Sequence, residues 1–367
     1  MDDLSDLSLG NLSDAPEVRF RRGRSPRRRR SVMPPPAAAD LHQAARRSVP
    51  RSIEQPARTT DVNVRGTLNI LLAARDQKAR VVFASSSSVY GDQERFPLNE
   101  ELPLKPRSPY AASKRAGEAY CRAWSHAYGV PTVALRYFNV YGPRQDPKNE
   151  YAAVVPRFVA ACLTGSRPQI HGDGEQARDF TYIDDVVEAN LLAARAGERA
   201  WGQAVNIGGG GKPTSVNRLL ELIAELAEVR NLEIEHSPPR NGDVRRTEAD
   251  VSLARKLIGY QPLIQIEEGI RRTVEWFQAQ DTRIVGNTSS SGSVGLKEGA
   301  ELRMTASPSR SSYTTPSGIF IEQSGGLSWL PDLKRPPVLH LFPSEQDCYE
   351  HAWERAHLPS VVLSPLR

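Results

Sequence analysis

The sequence is short of cysteine and of long apolar runs, and each shortage excludes a class of protein. Its cysteines are Cys121, Cys162 and Cys348, and their wide spacing excludes a disulfide framework and a zinc site. No run of about 18 or more apolar residues occurs, so no membrane span is expected. The opening residues, MDDLSDLSLG, are acidic where a secretory signal needs base and then an apolar stretch. We therefore expect a cytoplasmic protein without a metal site.

Positive charge is concentrated in one stretch. The chain carries a net charge of +5, and its arginines crowd into RFRRGRSPRRRR at residues 19–30. Such a run can bind phosphate backbones, because each arginine that neutralises a phosphate releases a counterion. The run contains Phe20 as its single aromatic residue, and no folded reader of nucleic acid follows it. A solvated segment is therefore the favoured interpretation, and an arginine-driven nucleic-acid binder is the weaker alternative.

Composition and periodicity divide the chain into four parts. Residues 1–40 form a divergent start whose PPPAAAD stretch cannot be a regular helix. Residues 41–145 alternate helical periodicity with apolar, β-branched strands, whereas residues 146–281 mix helices with short strands. Residues 282–367 contain the linker-like GNTSSSGSVG at residues 286–295 and lack sustained periodicity. We expect this last part to be a poorly ordered tail, and we assign it no role.

The pattern in residues 41–145 predicts an α/β fold with a doubly wound parallel sheet. ARVVFASSSS and VPTVALRYFNVYGP are typical of buried strands, and SPYAASKRAGEAYCRAWSHAYG between them is typical of a helix. Ser108 is the expected N-cap of this helix, Pro109 its first residue and Gly129 its stop. Ligands bind beyond the carboxyl ends of such strands. The serine cluster and Asn139 both fall there.

A phenol and an ammonium share one face of the predicted helix. Tyr110 and Lys114 lie four residues apart, and an ammonium within about 6 Å favours the phenolate form of a tyrosine. The spacing is common by chance, so an ordinary tyrosine and a surface lysine are the alternative. Ser85–Ser88 end the preceding strand. Serines there can form turns, but four of them beside a phenol favour a hydroxyl relay.

Together these motifs resemble those of the NAD-dependent epimerase/dehydratase family, which are extended short-chain dehydrogenases/reductases. Within that family the pattern is most similar to UDP-sugar 4-epimerases acting on glucose, galactose or their N-acetylated forms. The resemblance implies a Rossmann-like doubly wound sheet, truncated at its N-terminus, with a smaller C-terminal substrate-binding α/β domain. It also implies NAD as cofactor, a UDP-hexose as substrate and a homodimer. The matching pieces span roughly residues 41–280 and are HQAARRSVPRSIEQP, NVRGTLNIL, FASSSSVYGD, SPYAASK, LRYFNVYGPRQ, GDGEQARDFTYIDD, NIGGG and PPRNGDVRRTEAD.

The resemblance assigns roles to individual residues. Tyr110 matches the general base, Lys114 the residue that lowers the tyrosine pKa and holds the nicotinamide ribose, and Ser86 the partner of the reacting hydroxyl. The residues implied to contact the cofactor are Asp3, Asn63, Ser85, Tyr110, Lys114 and Tyr137. Those implied to contact the nucleotide sugar are Ser86, Asn139, Arg178, Arg240 and Thr247. The two arginines suit a diphosphate because guanidinium forks bind phosphate oxygens in pairs, and the alternative for Arg178 is a salt bridge with Asp179 or Asp184.

Two further positions bear on the reaction. Ser87 and Ser88 stand where related dehydratases place an Asp-Glu pair, and hydroxyls cannot shuttle the protons that dehydration needs. Epimerisation is therefore favoured. The SVPRS segment and the small Thr247 resemble epimerases that accept N-acetylated sugars. A UDP-glucuronate-type epimerase is a weaker alternative.

The family's glycine-rich Gly-x-x-Gly-x-x-Gly turn is missing from this sequence. That turn supplies amide hydrogen bonds to the NAD pyrophosphate, each worth roughly 1.5–3 kcal/mol. The chain is expected to begin just before the family's ribose-binding acid, which Asp2 or Asp3 matches. NIGGGG comes late in the chain and is interpreted as a structural turn. The second hypothesis is therefore a truncated, inactive relative that binds a UDP-sugar or a partner without catalysis.

Overall fold

The protein is described by a computed structural model covering residues 18–22, 39–147, 153–239, 244–288, 319–323 and 338–341. A π-helical turn at Asp61–Arg65 joins the second and third helices, and 3-10 turns occur at Ser87–Tyr90 and Glu198–Ala200. The helices α1 to α9 are Val49–Glu54, Pro56–Thr60, Gly66–Gln77, Pro109–Tyr128, Val154–Thr164, Ile183–Arg195, Val216–Leu226, Ser252–Ile258 and Ile266–Thr288. The strands β1 to β13 are Val18–Arg22, Ala39–His42, Arg80–Ser86, Thr132–Tyr137, Val140–Tyr141, Gln169–His171, Ala177–Arg178, Thr181–Tyr182, Gln203–Ile207, Thr214–Ser215, Glu235–Ser237, Ile319–Gln323 and Val338–Leu341.

A seven-stranded sheet organises the fold, in the order β1-β12-β13-β2-β3-β4-β9. The five strands from β13 to β9 run parallel to their neighbours. Strands β12 and β1 extend the other edge in antiparallel fashion. Helices cover both faces of the parallel part, because parallel strands need crossover connections. The predicted α/β class and Rossmann-like parallel sheet are confirmed.

The central strands β3 and β4 are buried on both faces. Val82, Val133 and Leu135 face α6 in one apolar cluster, whereas Phe83 and Ala134 face α3 and α4 in another. Coverage on both sides explains why these strands read as continuous apolar runs instead of alternating. The polar residues at their carboxyl ends are therefore held by a rigid support.

Helix α4 begins and ends as its sequence predicts. The Ser108 hydroxyl accepts a hydrogen bond from the Ala111 amide at 3.1 Å, and Pro109 occupies the first turn. Gly129 ends the helix in the left-handed conformation, with φ of 64°. Capping at both ends fixes where the helix starts relative to the sheet.

A third apolar cluster lies outside the main sheet, between α5, α7 and α9. Short strand pairs β5–β8, β6–β11 and β7–β10 surround it. Not all of residues 146–281 belong to this cluster. Strand β9 extends the main sheet, and α6 packs against that sheet. The alternation of strand and helix continues past residue 145, and the sequence offers no local signal for which sheet each element joins.

Some described elements fall where no regular structure was predicted. Helix α9 runs to Thr288, past the expected division at residue 281 and into the predicted linker. Strand β1 lies in the arginine-rich start, and β12 and β13 lie in the expected tail. Strand β13 pairs with β2 in parallel, with Val338 opposite Asp40. Segments of four or five residues that pair across a long sequence separation carry no periodicity of their own.

Contact between α4 and the sheet requires a glycine. A Cβ added at Gly117 would collide with the ring of the buried Phe83. We expect Gly117→Ala to lower the free energy of unfolding by about 1–3 kcal/mol, as overpacking does. The matched control is Gly66→Ala in α3, where nothing lies within 4 Å of the added atom. That variant is expected to be stabilised by about 0.4–1 kcal/mol. Urea unfolding measures both, and equal effects would contradict this packing.

Candidate active site

The first turns of α4 meet the end of β3. The Ser86 hydroxyl is a neighbour of the Tyr110 phenol and lowers its pKa through hydrogen bonding. The Lys114 Nζ donates to the Ala84 carbonyl at 2.7 Å and lies 6.0 Å from the centroid of the Tyr110 ring. Ser88 donates to the Ser86 hydroxyl through both its amide and its own hydroxyl. The structure therefore brings together the three residues expected to be catalytic.

Burial dominates the electrostatics of this group. Lys114 is 3% exposed, and burial lowers its pKa to about 7, although Cys121 and Glu118 act in the opposite direction. Burial also raises the pKa of Tyr110, against smaller downward effects from the Ser86 hydrogen bond and the charge of Arg47. Within the chain alone the phenol is therefore neutral at pH 7, and its ionisation needs a further positive charge.

A row of polar residues crosses the sheet beneath this group. Ser85, Arg136 and Asn206 stand opposite one another on β3, β4 and β9. The Arg136 guanidinium donates to both oxygens of Glu118 on α4, at 2.9 and 2.8 Å, and the Ser85 hydroxyl donates to the same carboxylate at 2.5 Å. Arg136 is 5% exposed and Glu118 8%. The ion pair is therefore buried, bidentate and shared with a serine adjacent to Ser86.

The same row of polar residues connects to the chain segments around Leu98 and Asp250. The Tyr90 hydroxyl accepts from Arg136 at 2.9 Å and donates to Asn206 at 2.7 Å. Asn206 in turn donates to the carbonyls of Leu98 and Asp250. Sequence reasoning missed this network. A charged residue inside the apolar LRYF strand and a glutamate four residues after Lys114 were the available signals.

The side chains implied to contact the cofactor make hydrogen bonds within the chain. The Asn63 side-chain oxygen accepts from the backbone amide of Arg46 at 2.7 Å. Its side-chain nitrogen donates to the Arg46 carbonyl and to the Ser113 hydroxyl. Ser85 bonds Glu118, and the Tyr137 hydroxyl bonds Gln43 and Asn190. The contacts of these residues with a cofactor stay predictions, and Asp3 lies outside the described residues.

Three of the residues implied to contact the nucleotide sugar lie together. The hydroxyl of Thr247 is 3.5 Å from the Asn139 side-chain oxygen and accepts from the Asp179 amide, next to Arg178. Arg240 lies outside the described residues. The Arg178 guanidinium donates to the Ala177 carbonyl at 2.9 Å, and both the diphosphate role and the salt-bridge alternative stay predictions.

The NIGGGG segment is a turn held by Asp179. The Asp179 carboxylate accepts from the amides of Gly209 at 2.7 Å and Ala249 at 2.9 Å. A Cβ at Gly208 would meet Ala249 and Asp179, and one at Gly209 would meet the Phe180 carbonyl. Glycine is needed at both positions because backbone and carboxylate approach so closely.

Two observations concern other kinds of site. Within the described ranges, no group of three or more His, Cys, Asp or Glu residues is arranged to hold a metal ion. Among the helices of the same ranges, none is long and apolar enough to cross a membrane.

Comparison with known proteins identifies the family. A family model described as the NAD dependent epimerase/dehydratase family matches residues 32–208. UDP-glucose 4-epimerase of Mycolicibacterium smegmatis is 42% identical over 240 residues, which are 65% of this chain and 75% of that protein. UDP-glucuronate 4-epimerase of Thermodesulfobacterium geofontis is 38% identical over 241 residues, 65% of this chain and 72% of that protein.

A solved structure agrees with these relatives. The UDP-N-acetylglucosamine 4-epimerase of Methanobrevibacter ruminantium, in complex with UDP-N-acetylmuramic acid, superposes with a TM-score of 0.63 at 39% identity. The match covers 66% of this chain and 77% of that one. The chain belongs to the NAD-dependent epimerase/dehydratase family. Its relatives are UDP-sugar 4-epimerases whose names carry three different sugars.

The buried Asp179 carboxyl group, which holds the NIGGGG turn, predicts a pH dependence of stability. Burial raises the pKa of this carboxyl to about 6, above the unfolded value of about 3.9. The folded state therefore takes up a proton between these values, and the free energy of unfolding falls as pH rises through that window. Relative to Asp179→Asn, the wild type should lose about 1–3 kcal/mol between pH 4 and 7.

The control for this measurement is Asp173→Asn. The exposed pair with Arg245 lowers the pKa of Asp173, so its contribution has the opposite sign and is lost as pH falls below about 4. Chemical denaturation across pH distinguishes the two. A constant difference between wild type and Asp179→Asn would contradict the raised pKa.

Proposed function

We propose that this protein is an NAD-dependent UDP-hexose 4-epimerase. The observation that carries the proposal is the convergence of Ser86, Tyr110 and Lys114 at the end of β3, in a chain whose relatives are UDP-sugar 4-epimerases. A phenol hydrogen-bonded to a serine and close to a buried ammonium is suited to removing a proton from a sugar hydroxyl.

The residues around Tyr110 fit the nicotinamide end of NAD. When bound, NAD would supply a reversible hydride acceptor for C4 of the sugar. Burial keeps the Tyr110 phenol neutral and brings the pKa of Lys114 to about 7, so a cationic ring beside them supplies the charge that ionisation lacks. Among the described strands of the main sheet, none is followed by a Gly-x-x-Gly-x-x-Gly turn. The described residues are therefore proposed to bind the nicotinamide end of NAD and are assigned no contact with its pyrophosphate.

The chain's own residues divide the proton chemistry between them. Tyr110 takes the proton of the C4 hydroxyl and later returns it. Ser86, already hydrogen-bonded to the phenol, bridges phenol and sugar hydroxyl. Lys114, anchored by the Ala84 carbonyl, stabilises the phenolate and holds the nicotinamide ribose. The proton is recovered in each cycle, so no net acid or base is consumed.

The protein must also hold the nucleotide while the sugar turns. Arg178 and Arg240 would bind the diphosphate, since guanidinium groups pair with phosphate oxygens. Asn139 would contact the sugar nucleotide from the loop after β4. Anchoring UDP at these residues lets the 4-keto sugar rotate and present its other face. The positions of Arg178 and Asn139 around Thr247 support this assignment.

The sugar is proposed to be a UDP-hexose that carries either a hydroxyl or an acetamido group. Thr247 is 6% exposed and lies beside Asn139, and a side chain this small would leave more room for an acetamido group than a bulky one. Ser87 and Ser88 lack the acid and base that dehydration requires. A glucuronate substrate is the second candidate, favoured by one of the relatives. We further propose that the protein acts as a homodimer in the cytoplasm.

Loss of the Tyr110 hydroxyl should abolish most of the turnover. We expect Tyr110→Phe to lower kcat for UDP-glucose/UDP-galactose interconversion by about 10²–10⁴-fold, the usual contribution of a general base, while UDP binding by calorimetry is retained. The control is Tyr128→Phe at the other end of α4, whose side chain is 52% exposed. That variant should match the wild type, and unchanged turnover in Tyr110→Phe would contradict the mechanism.

A bulkier residue 247 should discriminate between sugars. We expect Thr247→Met to lower kcat/KM for UDP-N-acetylglucosamine about 10-fold more than for UDP-glucose, because the side chain enters the space for the acetamido group. Thr247→Ser keeps the hydroxyl that accepts from Asp179 and should leave the ratio unchanged. Equal losses for both sugars in the methionine variant would remove Thr247 from sugar selection.

A further inference from the structure

Three consecutive residues of β3 contact three residues of one face of α4. The Ala84 carbonyl accepts from Lys114 at 2.7 Å. The Ser85 hydroxyl donates to Glu118 at 2.5 Å, and Ser86 hydrogen-bonds Tyr110. Residues 110, 114 and 118 are spaced by four, so they lie above one another on the helix. Glu118 is the member of this face that the proposed reaction does not use.

The charge of Glu118 is fixed in place. Both carboxylate oxygens accept from Arg136, and one of them also accepts from Ser85. Arg136 is held in turn by Tyr90, and Tyr90 by Asn206. The carboxylate cannot turn away from the helix face that carries Lys114 without breaking charge-assisted hydrogen bonds.

The groups around Lys114 come from several elements. Its Nζ lies 5.1 Å from the centroid of the Phe83 ring on β3, against which His42 of β2 packs at 5.8 Å. The titratable groups whose charges act on Lys114 or Tyr110 are Glu118 and Cys121 on α4 and Arg47 in the loop after β2. Arg136 on β4 contacts Glu118, and His42 on β2 contacts Phe83. Since the thiol of Cys121 has its pKa raised by burial, the negative charge of this set belongs to the Glu118 carboxylate that pairs with Arg136.

We infer that Glu118, locked by Arg136, is a positioning residue that keeps Lys114 charged and fixes the Ser85–Ser86 end of β3. The inference rests on the proposed function for its consequence in turnover, but its effect on Lys114 exists in the protein without substrate. Glu118 touches neither substrate nor cofactor in this scheme. It acts through Lys114 and Ser85.

The charge of Glu118 opposes the effect of burial on the Lys114 pKa. Burial removes water from the ammonium and favours neutral Lys114, whereas an anion four residues away on the same face favours the charged form. Neutral Lys114 cannot stabilise a phenolate. Without the Glu118 charge, the alkaline limb of the pH profile of kcat/KM should therefore move to lower pH.

The test follows Lys114 directly in the full chain. Lysine labelled with 13C at Cε is incorporated, and Lys114→Arg identifies the Lys114 resonance, whose chemical shift is then titrated. In Glu118→Gln the Lys114 pKa should fall by about 1 unit, because an opposite charge has been removed. In Arg136→Gln the carboxylate loses its guanidinium partner, and the Lys114 pKa should rise.

The control is Glu100→Gln. Glu100 accepts from the Asn206 amide at 2.7 Å, so the variant removes a partly buried carboxylate from the same network without removing the charge on the Lys114 face. Its Lys114 titration should match the wild type. General loosening would return Lys114 toward water and raise its pKa in either variant, so the fall in Glu118→Gln is the result that carries the test. If Glu118→Gln fails to fold, the double variant Glu118→Gln/Arg136→Gln, which leaves no unpaired buried charge, is compared with Arg136→Gln, and its Lys114 pKa should be lower by about 1 unit.

The outcomes separate this inference from the proposed function. Opposite shifts in the two variants support the role of Glu118, whether or not any UDP-hexose turns over. Unchanged titration, or shifts of the same sign in both, overturns it even in an active epimerase. Parallel pH–rate profiles should show the alkaline limb moving with the Lys114 pKa. A uniform loss of kcat without that movement would mean that Glu118 has a structural role alone.

Discussion

The buried ion pair between Arg136 and Glu118 is the constraint on which the arrangement depends. Each charge, taken out of water alone, would cost several kcal/mol, and the pair is tolerable because its hydrogen bonds are complete. Since Arg136 belongs to the rigid centre of the sheet and Glu118 to α4, their pairing fixes the rotation of the helix about its axis. The same rotation directs Lys114 and Tyr110 toward the carboxyl end of β3.

In this geometry, opposing effects act on the charge of the Tyr110 phenol and of the Lys114 ammonium. Burial favours the neutral form of both groups, whereas Ser86, Arg47 and Glu118 favour the charged forms. Under the proposed function, a bound cationic ring and a sugar hydroxyl would promote the ionisation of Tyr110. Linking ionisation to the occupied site would limit adventitious proton transfer in the free protein.

Local signals predicted the parts of the fold that depend on local physics. Ser108, Pro109 and Gly129 predicted both ends of α4, because capping is decided within a few residues. The apolar runs predicted the parallel sheet, and the spacing of Tyr110 and Lys114 placed them on one face. The Arg136–Glu118 pair was not predicted, since it depends on how α4 packs against β4. Strands β12 and β13 were not predicted either, because their partners are distant in sequence.

The central claim is that hydride leaves and returns to the same carbon while UDP stays bound. It is tested most directly by incubating the full chain with NAD and UDP-glucose deuterated at C4, then analysing the products by mass spectrometry and NMR. The account predicts UDP-galactose that retains deuterium at C4, with no uptake of solvent hydrogen there. Loss of the label to water, or the absence of any C4-inverted hexose from glucose, N-acetylglucosamine and glucuronate nucleotides alike, would contradict it.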